Sequence, residues 1–216
     1  TIMGNVVFPA NLANHCSVNS STLVQISSGC IYNGYEKKFT EEDEANFTFN
    51  NGSFYSGTKA LCEKMILKHS PRSYIFRLRI PFDEYQNPRN YITKILNYDN
   101  LLDAENSLSH RVDFAKYCID LLEKKVPFGV YNITNKGSIT TKEVVELIKH
   151  HLKCNLDFNM PNKKFNFFSD LEDFQKHVVA PRSNCILNTS KLEKYIKIRT
   201  VREALKDTLS KYVIKS

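Results

Sequence analysis

The 216-residue chain has no run of about eighteen apolar residues, so no stretch of it is expected to span a membrane. No charged-then-apolar leader opens it, so no secretory signal is expected and a cytoplasmic protein is the simplest reading. The opening Thr1-Ile-Met-Gly-Asn-Val-Val reads like the middle of a helix rather than a natural start. Six cysteines (Cys16, Cys30, Cys62, Cys118, Cys154, Cys185) include no Cys-x-x-Cys pair, and a chain this long needs no disulfide staples. Free thiols in a reducing compartment follow. The six histidines show no paired spacing, so no metal is expected. Asn-x-Ser/Thr triplets at Asn19, Asn46, Asn51, Asn132 and Asn188 are read as chance in an Asn-rich chain. Internal repeats and low-complexity tracts are absent as well.

A composition of 42% hydrophobic and 25% charged residues is that of an ordinary folded domain, or a domain plus a smaller one. The net charge of +7 invites a nucleic-acid partner. The lysines, however, are interleaved with Glu and Asp and form no basic block, so nucleic-acid binding is not expected. A basic surface suits a diphosphate-bearing small molecule equally well.

Apolar residues at helical spacing over 1–16 predict a first helix, and Thr-Leu-Val-Gln-Ile-Ser at 22–27 a buried strand ending in a turn. The polar stretch 33–53, with its acidic cluster Glu41-Glu42-Asp43-Glu44, reads as a long surface loop. Leu61 with Met65 and Cys62 with Ile66 predict a helix over 54–70, followed by a strand over 74–80 that Pro81 stops. Strand, helix, strand in this order signals a parallel sheet with covering helices. Further helices are expected after Asn87 to Leu96, over 111–124, from a Thr140/Glu143 capping box to about Leu152, over 169–177, and from Thr200 to about Val213. A strand is expected over 129–133. The remainder of 155–185 reads as irregular.

Tyr55-Ser-Gly-Thr-Lys59 places a phenol and an ammonium on one helix face, a spacing of four. The ammonium would favour the phenolate, and the pair would protonate a carbonyl that receives hydride. With 11 tyrosines and 22 lysines, about one such pair is expected by chance, so the context between two strands carries the reading. Ser28, at the end of the first strand, is placed to donate to the same carbonyl oxygen. The bland readings are a surface tyrosine with a solvated lysine, and a turn serine.

Asn5, Ser28, Tyr55 and Lys59 resemble the Asn, Ser/Thr, Tyr and Lys tetrad of short-chain dehydrogenases. Gly29-Cys30-Ile31-Tyr32, Phe39-Thr-Glu-Glu-Asp43, Asn46-Phe47, Gly52-Ser-Phe-Tyr-Ser56, Arg77-Leu-Arg-Ile-Pro81, Asn87-Pro-Arg-Asn-Tyr-Ile-Thr-Lys94 and Val179-Ala-Pro-Arg-Ser-Asn184 resemble one subgroup of the extended family. It comprises the UDP-4-keto-6-deoxyglucose 3,5-epimerase/4-reductases of UDP-L-rhamnose synthesis, found in plants and some large DNA viruses. The resemblance implies an α/β, Rossmann-like doubly wound parallel sheet with a smaller C-terminal substrate domain. Residues 1–81 and 108–136 would belong to the NADP-binding part, and 82–107 with 137–216 to the substrate part.

The same resemblance implies catalytic roles for Tyr55, Lys59, Ser28, Cys30, Lys94 and Asn5. Inverting the carbons beside a ketone needs a base on one face and an acid on the other, and a thiol and an ammonium can be tuned to those tasks. NADPH would be held by Tyr55, Lys59, Ser27, Arg79 and Pro81. The nucleotide sugar would be held by Ser28, Asn87, Arg89, Asn90, Arg182 and Asn184, arginine pairing with phosphate and asparagine supplying a directed amide. A homodimer through helices 1–16 and 54–70 is also implied. The bland readings are a buried apolar Cys30, a surface Lys94 and solvated loop arginines. The front departs from the pattern: the Gly-x-x-Gly-x-x-Gly loop that would cradle the cofactor's pyrophosphate is absent, as if about seventy residues were missing. Two alternatives stay open, a simple 4-keto reductase resembling dTDP-4-dehydrorhamnose reductases and a non-catalytic regulatory subunit of the same fold.

Overall fold

The computed structural model describes residues 1–154 and 164–212. Its chain order is a π-helical turn Met3–Val7, α1 (Phe8–Val18), β1 (Leu23–Ser28), a 3-10 turn Gly29–Ile31, β2 (Gly34–Phe39), α2 (Phe54–His69), β3 (Ser73–Leu78), β4 (Pro81–Phe82) and α3 (Tyr91–Asn97). There follow β5 (Asn100–Leu101), β6 (Glu105–Asn106), β7 (Ser109–His110), α4 (Arg111–Glu123), β8 (Gly129–Asn132), β9 (Ile139–Thr140) and α5 (Thr141–Cys154). β10 (Asn166–Phe167), α6 (Leu171–Lys176), β11 (Cys185–Leu187), α7 (Ser190–Glu193) and α8 (Val201–Lys211) complete it.

The apolar runs pair in parallel. β1 lies beside β3 with Leu23 opposite Ser73 and Ser28 opposite Leu78, and β3 lies beside β8 with Tyr74 opposite Gly129. Successive side chains of β3 point to opposite faces, which divides the core. Ile75 packs with Ala13, Cys16, Cys62 and Ile66 under α1 and α2. Tyr74 and Phe76 pack with Tyr117, Leu121, Leu192 and Ile196 under α4 and α7. Helices on both faces of a parallel sheet make the doubly wound α/β arrangement, as expected. A separate core of Phe82, Ile92, Ile95, Leu108, Val144, Ile148, Val201 and Leu205 joins α3, α5 and α8.

Helix starts follow local chemistry. Ser53 caps α2 by accepting from Ser56 N at 3.0 Å, and Asn90 caps α3. Thr140 and Glu143 exchange hydrogen bonds at the head of α5, the anticipated capping box. α8 begins with a second such box, Thr200 with Glu203. The expected end of that helix, Val213, and residues 155–163 of the irregular segment lie outside the described residues.

The long loop expected over 33–53 is partly ordered backbone. Its first third is β2, which pairs with β11 from 150 positions further on. β2 carries exposed side chains on most positions, so no alternation announces it. The acidic cluster after it is fastened down: Asp43 accepts from Thr40 N at 2.7 Å, and Glu41 accepts from Asn132 N at 2.8 Å across the end of β8. The five cysteines that are described, Cys16, Cys30, Cys62, Cys118 and Cys185, are free thiols. Among the described residues no helix is long and apolar enough to cross a membrane.

Candidate active site

One cavity of about 570 Å³ opens between the C-terminal end of the sheet and α3, a size suited to a nucleotide-scale ligand. Cys30 and Arg79 reach it from strand ends, Tyr55 from the first turn of α2, Lys94 from α3, and Arg182 with Asn184 from the loop before β11. Six expected site residues from five separate stretches therefore face one space.

Local folding explains the placements. Ser28 ends β1 in extended conformation and its Oγ accepts from Cys30 N at 3.2 Å, turning Cys30 toward the cavity and leaving the serine proton free to donate. Tyr55 is fixed from behind: Thr58 Oγ1 donates to Tyr55 O at 2.8 Å, and Asn5 Nδ2 donates to Thr58 Oγ1 at 3.2 Å. Asn5 thus braces the turn that carries Tyr55 and does not line the cavity. Gly57 allows the Phe49 ring to lie against the same turn, since a Cβ there would sit 2.5 Å from ring carbons.

The electrostatics differ from the sequence expectation at Tyr55. Its phenol is raised above the ordinary value, by burial first and then by its electrostatic coupling to neighbouring Cys30. Lys59 does not offset this, and its ammonium donates to Ile26 O at 3.2 Å. The lowering expected from Lys59 is therefore not seen at Tyr55. Tyr55 is 48% exposed, and among the described residues its hydroxyl makes no hydrogen bond. Elsewhere on the lining, Lys94 is held below the ordinary lysine value, by burial first and then by the Arg182 charge. Among the described residues neither Lys94 nor Arg182 has a carboxylate partner. A protonated phenol, a thiol and a lowered ammonium around one water-accessible space form a set of proton donors and acceptors, with uncompensated positive charge beside them.

Other expected residues stand elsewhere. Ser27 is buried and its hydroxyl donates to Glu63 Oε1 at 2.5 Å, so its side chain is committed to the interior. Asn87, Arg89, Asn90 and Pro81 line a different cavity, of about 560 Å³, with Arg111 and Phe114. Asn90 is fully used as a cap: it accepts from Ile92 N and donates to Asp83 and to Tyr85 O. Arg79 is only 3% exposed, its terminal nitrogens taken by Ser183 and Asn106. Sequence reasoning missed Asn106, Tyr91 and Tyr98 on the cavity wall, and the ring group Phe168, Phe174 and His177 at its far side, with centroids 5.4 and 5.1 Å apart. The clustered aromatics of 165–177 were the one available signal.

Residues 3–214 match the family model described as RmlD substrate binding domain. The chain belongs to that family. Among curated proteins it is 33% identical, over 95% of its length and 67% of the relative's, to the bifunctional dTDP-4-dehydrorhamnose 3,5-epimerase/dTDP-4-dehydrorhamnose reductase of Arabidopsis thaliana. It is also 33% identical to a trifunctional UDP-glucose 4,6-dehydratase/UDP-4-keto-6-deoxy-D-glucose 3,5-epimerase/UDP-4-keto-L-rhamnose-reductase of the same plant, covering 99% of this chain but 31% of that protein. Among solved structures, the UDP-rhamnose synthase of Acanthamoeba polyphaga mimivirus superposes with a TM-score of 0.84 at 30% identity, over 96% of this chain and 70% of that one. The chain thus spans between under a third and about two thirds of these relatives. A dTDP-4-dehydrorhamnose reductase from Bacillus anthracis, solved in complex with NADP, shares the fold with a TM-score of 0.74 at 15% identity, over 95% of this chain and 71% of that one.

Lys59 and Ser28 are not among the residues that line the cavity; Lys59 lies one helical turn from Tyr55 and spends one hydrogen bond on Ile26 O, and Tyr55 spends none, which leaves donors for a ribose diol at the end of β1. The residues present fit the nicotinamide-ribose end. The pyrophosphate end has no glycine-rich loop within this sequence.

Proposed function

We propose that the chain forms the catalytic and substrate-binding part of a bifunctional 3,5-epimerase/4-keto-reductase, converting UDP-4-keto-6-deoxy-D-glucose to UDP-L-rhamnose with NADPH. The observation that supports it most is the convergence of Cys30, Tyr55 and Lys94 on one cavity that Arg182 leaves positively charged.

Hydrogens on carbons beside a ketone are acidic because the enolate is delocalised. In this reading Cys30 and Lys94, which come from different elements, exchange protons at C3 and C5, and the charge of Lys94 helps hold the enolate. Bound NADPH supplies the hydride for C4. Tyr55, a neutral phenol, gives its phenolic proton to the C4 oxygen, with Ser28 donating a hydrogen bond to the same atom. Lys59, with donors to spare, holds the ribose. Arg182 and Asn184 take the diphosphate. The same reading places the protein in the cytoplasm and pairs α1 and α2 with their copies in a homodimer, supported by exposed Phe8, Leu12 and Leu61 on those helices.

Proton exchange at C3 and C5 requires no nicotinamide, so the chain can be assayed as it stands. Incubated in heavy water with UDP-4-keto-6-deoxyglucose, it should place solvent deuterium at both carbons, and a longer protein that joins it to a glycine-rich cofactor loop should yield UDP-L-rhamnose when NADPH is added. Reduction without deuterium at either carbon would leave a simple 4-keto reductase.

A further inference from the structure

The loop that carries Arg182 and Asn184 is tied to the end of β3 by Arg79. Its Nη1 donates to Ser183 Oγ at 2.9 Å, and its Nη2 donates to Ser183 O and to Asn106 Oδ1, both at 2.6 Å. Ser183 Oγ in turn donates to Tyr32 O. The Cys185 N–H donates to the same Asn106 Oδ1 at 3.0 Å.

These contacts fix more than position. A guanidinium and a backbone N–H have nothing to accept with, so the Asn106 atom that faces both must be its oxygen. Its amide nitrogen then has to face the other way, where it donates to Asn184 Oδ1 at 3.0 Å. Asn184 consequently uses its oxygen inward. Its own amide nitrogen has no protein acceptor among the described residues, and the residue lines the cavity beside Arg182.

We propose that Asn106 is a positioning residue, which passes the donor-only character of Arg79 and Cys185 N–H on to Asn184 and so turns the Asn184 N–H₂ group toward the diphosphate of the nucleotide sugar. The inference rests on the nucleotide-sugar reading above. Its logic is one of orientation: a carboxamide presents two donors or one acceptor, and only the donors suit a phosphate oxygen.

Asn106→Asp separates this role from a structural one. The aspartate still accepts from Arg79 and Cys185 N–H, now as an ion pair, but it has no donor for Asn184. Asn184 must then rotate to donate inward, which points its oxygen at the ligand. In calorimetric titration with UDP, the Asn106→Asp chain should bind about tenfold more weakly than the unsubstituted chain, while melting at the same temperature or higher. With Asn184→Ala in the background, Asn106→Asp should change UDP affinity by less than about twofold, because the relay has nothing left to orient. Asn184→Asp, which is independent of how Asn106 tolerates substitution, should weaken UDP binding more than Asn184→Ala does. Unchanged UDP affinity in Asn106→Asp would overturn the relay. So would a loss that persists undiminished in the Asn184→Ala background, since that is direct repulsion by the new carboxylate. Failure of the unsubstituted chain to bind UDP would instead sink the nucleotide-sugar reading, and the relay's purpose with it.

Discussion

Two polar groupings lie on either side of α2, and they are built on opposite rules. Inside, Glu63 accepts from Arg77 Nη2 at 2.6 Å, from Arg77 Nε at 3.1 Å and from Ser27 Oγ, while Arg77 Nη1 donates to Tyr32 Oη at 3.0 Å and Tyr32 Oη donates to Asp43 O at 2.7 Å. Every charge there is matched, and both partners of the ion pair are about 5% exposed. On the cavity side, Tyr55, Lys94 and Arg182 make no ion pair and Tyr55 makes no hydrogen bond among the described residues. Matched groups hold β1, α2 and β3 in register. In the proposed reading, the unmatched ones are left for a ligand. The comparison separates residues that the fold needs from residues that the proposed chemistry would use.

The sharpest way to break it is Tyr55→Phe. Loss of a general acid should slow C4 reduction by about 10²–10⁴-fold, while urea unfolding stays within about 0.5 kcal/mol of the parent, as for other exposed changes. A large stability loss would move Tyr55 to the structural side. Next in size is Arg77→Met, which strands the buried Glu63 carboxylate and should cost about 3–5 kcal/mol in urea unfolding. The double variant Glu63→Met/Arg77→Met should recover much of that loss, since no buried charge is left alone.

A smaller effect is expected at Gly57→Ala. The new methyl would press on the Phe49 ring, and because that ring is half exposed it can yield, so about 1 kcal/mol of destabilisation is expected by thermal melting. The turn that carries Tyr55 should shift with it.

The subtlest test concerns pH. Lys94 is held below the ordinary lysine value by burial and by Arg182. Its protonated form is therefore lost at a lower pH than for a free lysine, and the alkaline limb of C3/C5 exchange should lie below the ordinary lysine range. Arg182→Gln removes one like charge, so the limb should move upward. A limb that stays put, or moves down, would separate Lys94 from that charge.

The sequence announced the frame of this arrangement well. Apolar runs at 22–27 and 74–80 became β1 and β3 because a strand buried on both faces is continuously apolar. Tyr55, Cys30, Lys94, Arg182 and Asn184 were legible through ordered motifs. What stayed hidden has identifiable causes. Ser27 and Ser28 are neighbours on a strand, so they face opposite ways, and the letters alone do not tell which one faces inward. β2 is held by backbone pairing with a distant strand and has little apolar pattern. Asn87, Arg89 and Asn90 share a motif with Lys94, yet the turn into α3 places them around another cavity. Asn106 gave no signal, because its partners Arg79 and Asn184 lie 27 and 78 positions away.

The account stands most directly on the proton chemistry of Cys30. Mass analysis of UDP-4-keto-6-deoxyglucose recovered from heavy water, with the intact chain and with Cys30→Ala compared at equal folded concentration, measures it. The prediction is deuterium at C3 and C5 with the intact chain and a loss of about 10²-fold or more in its rate of entry with Cys30→Ala. Equal rates for the two would contradict it.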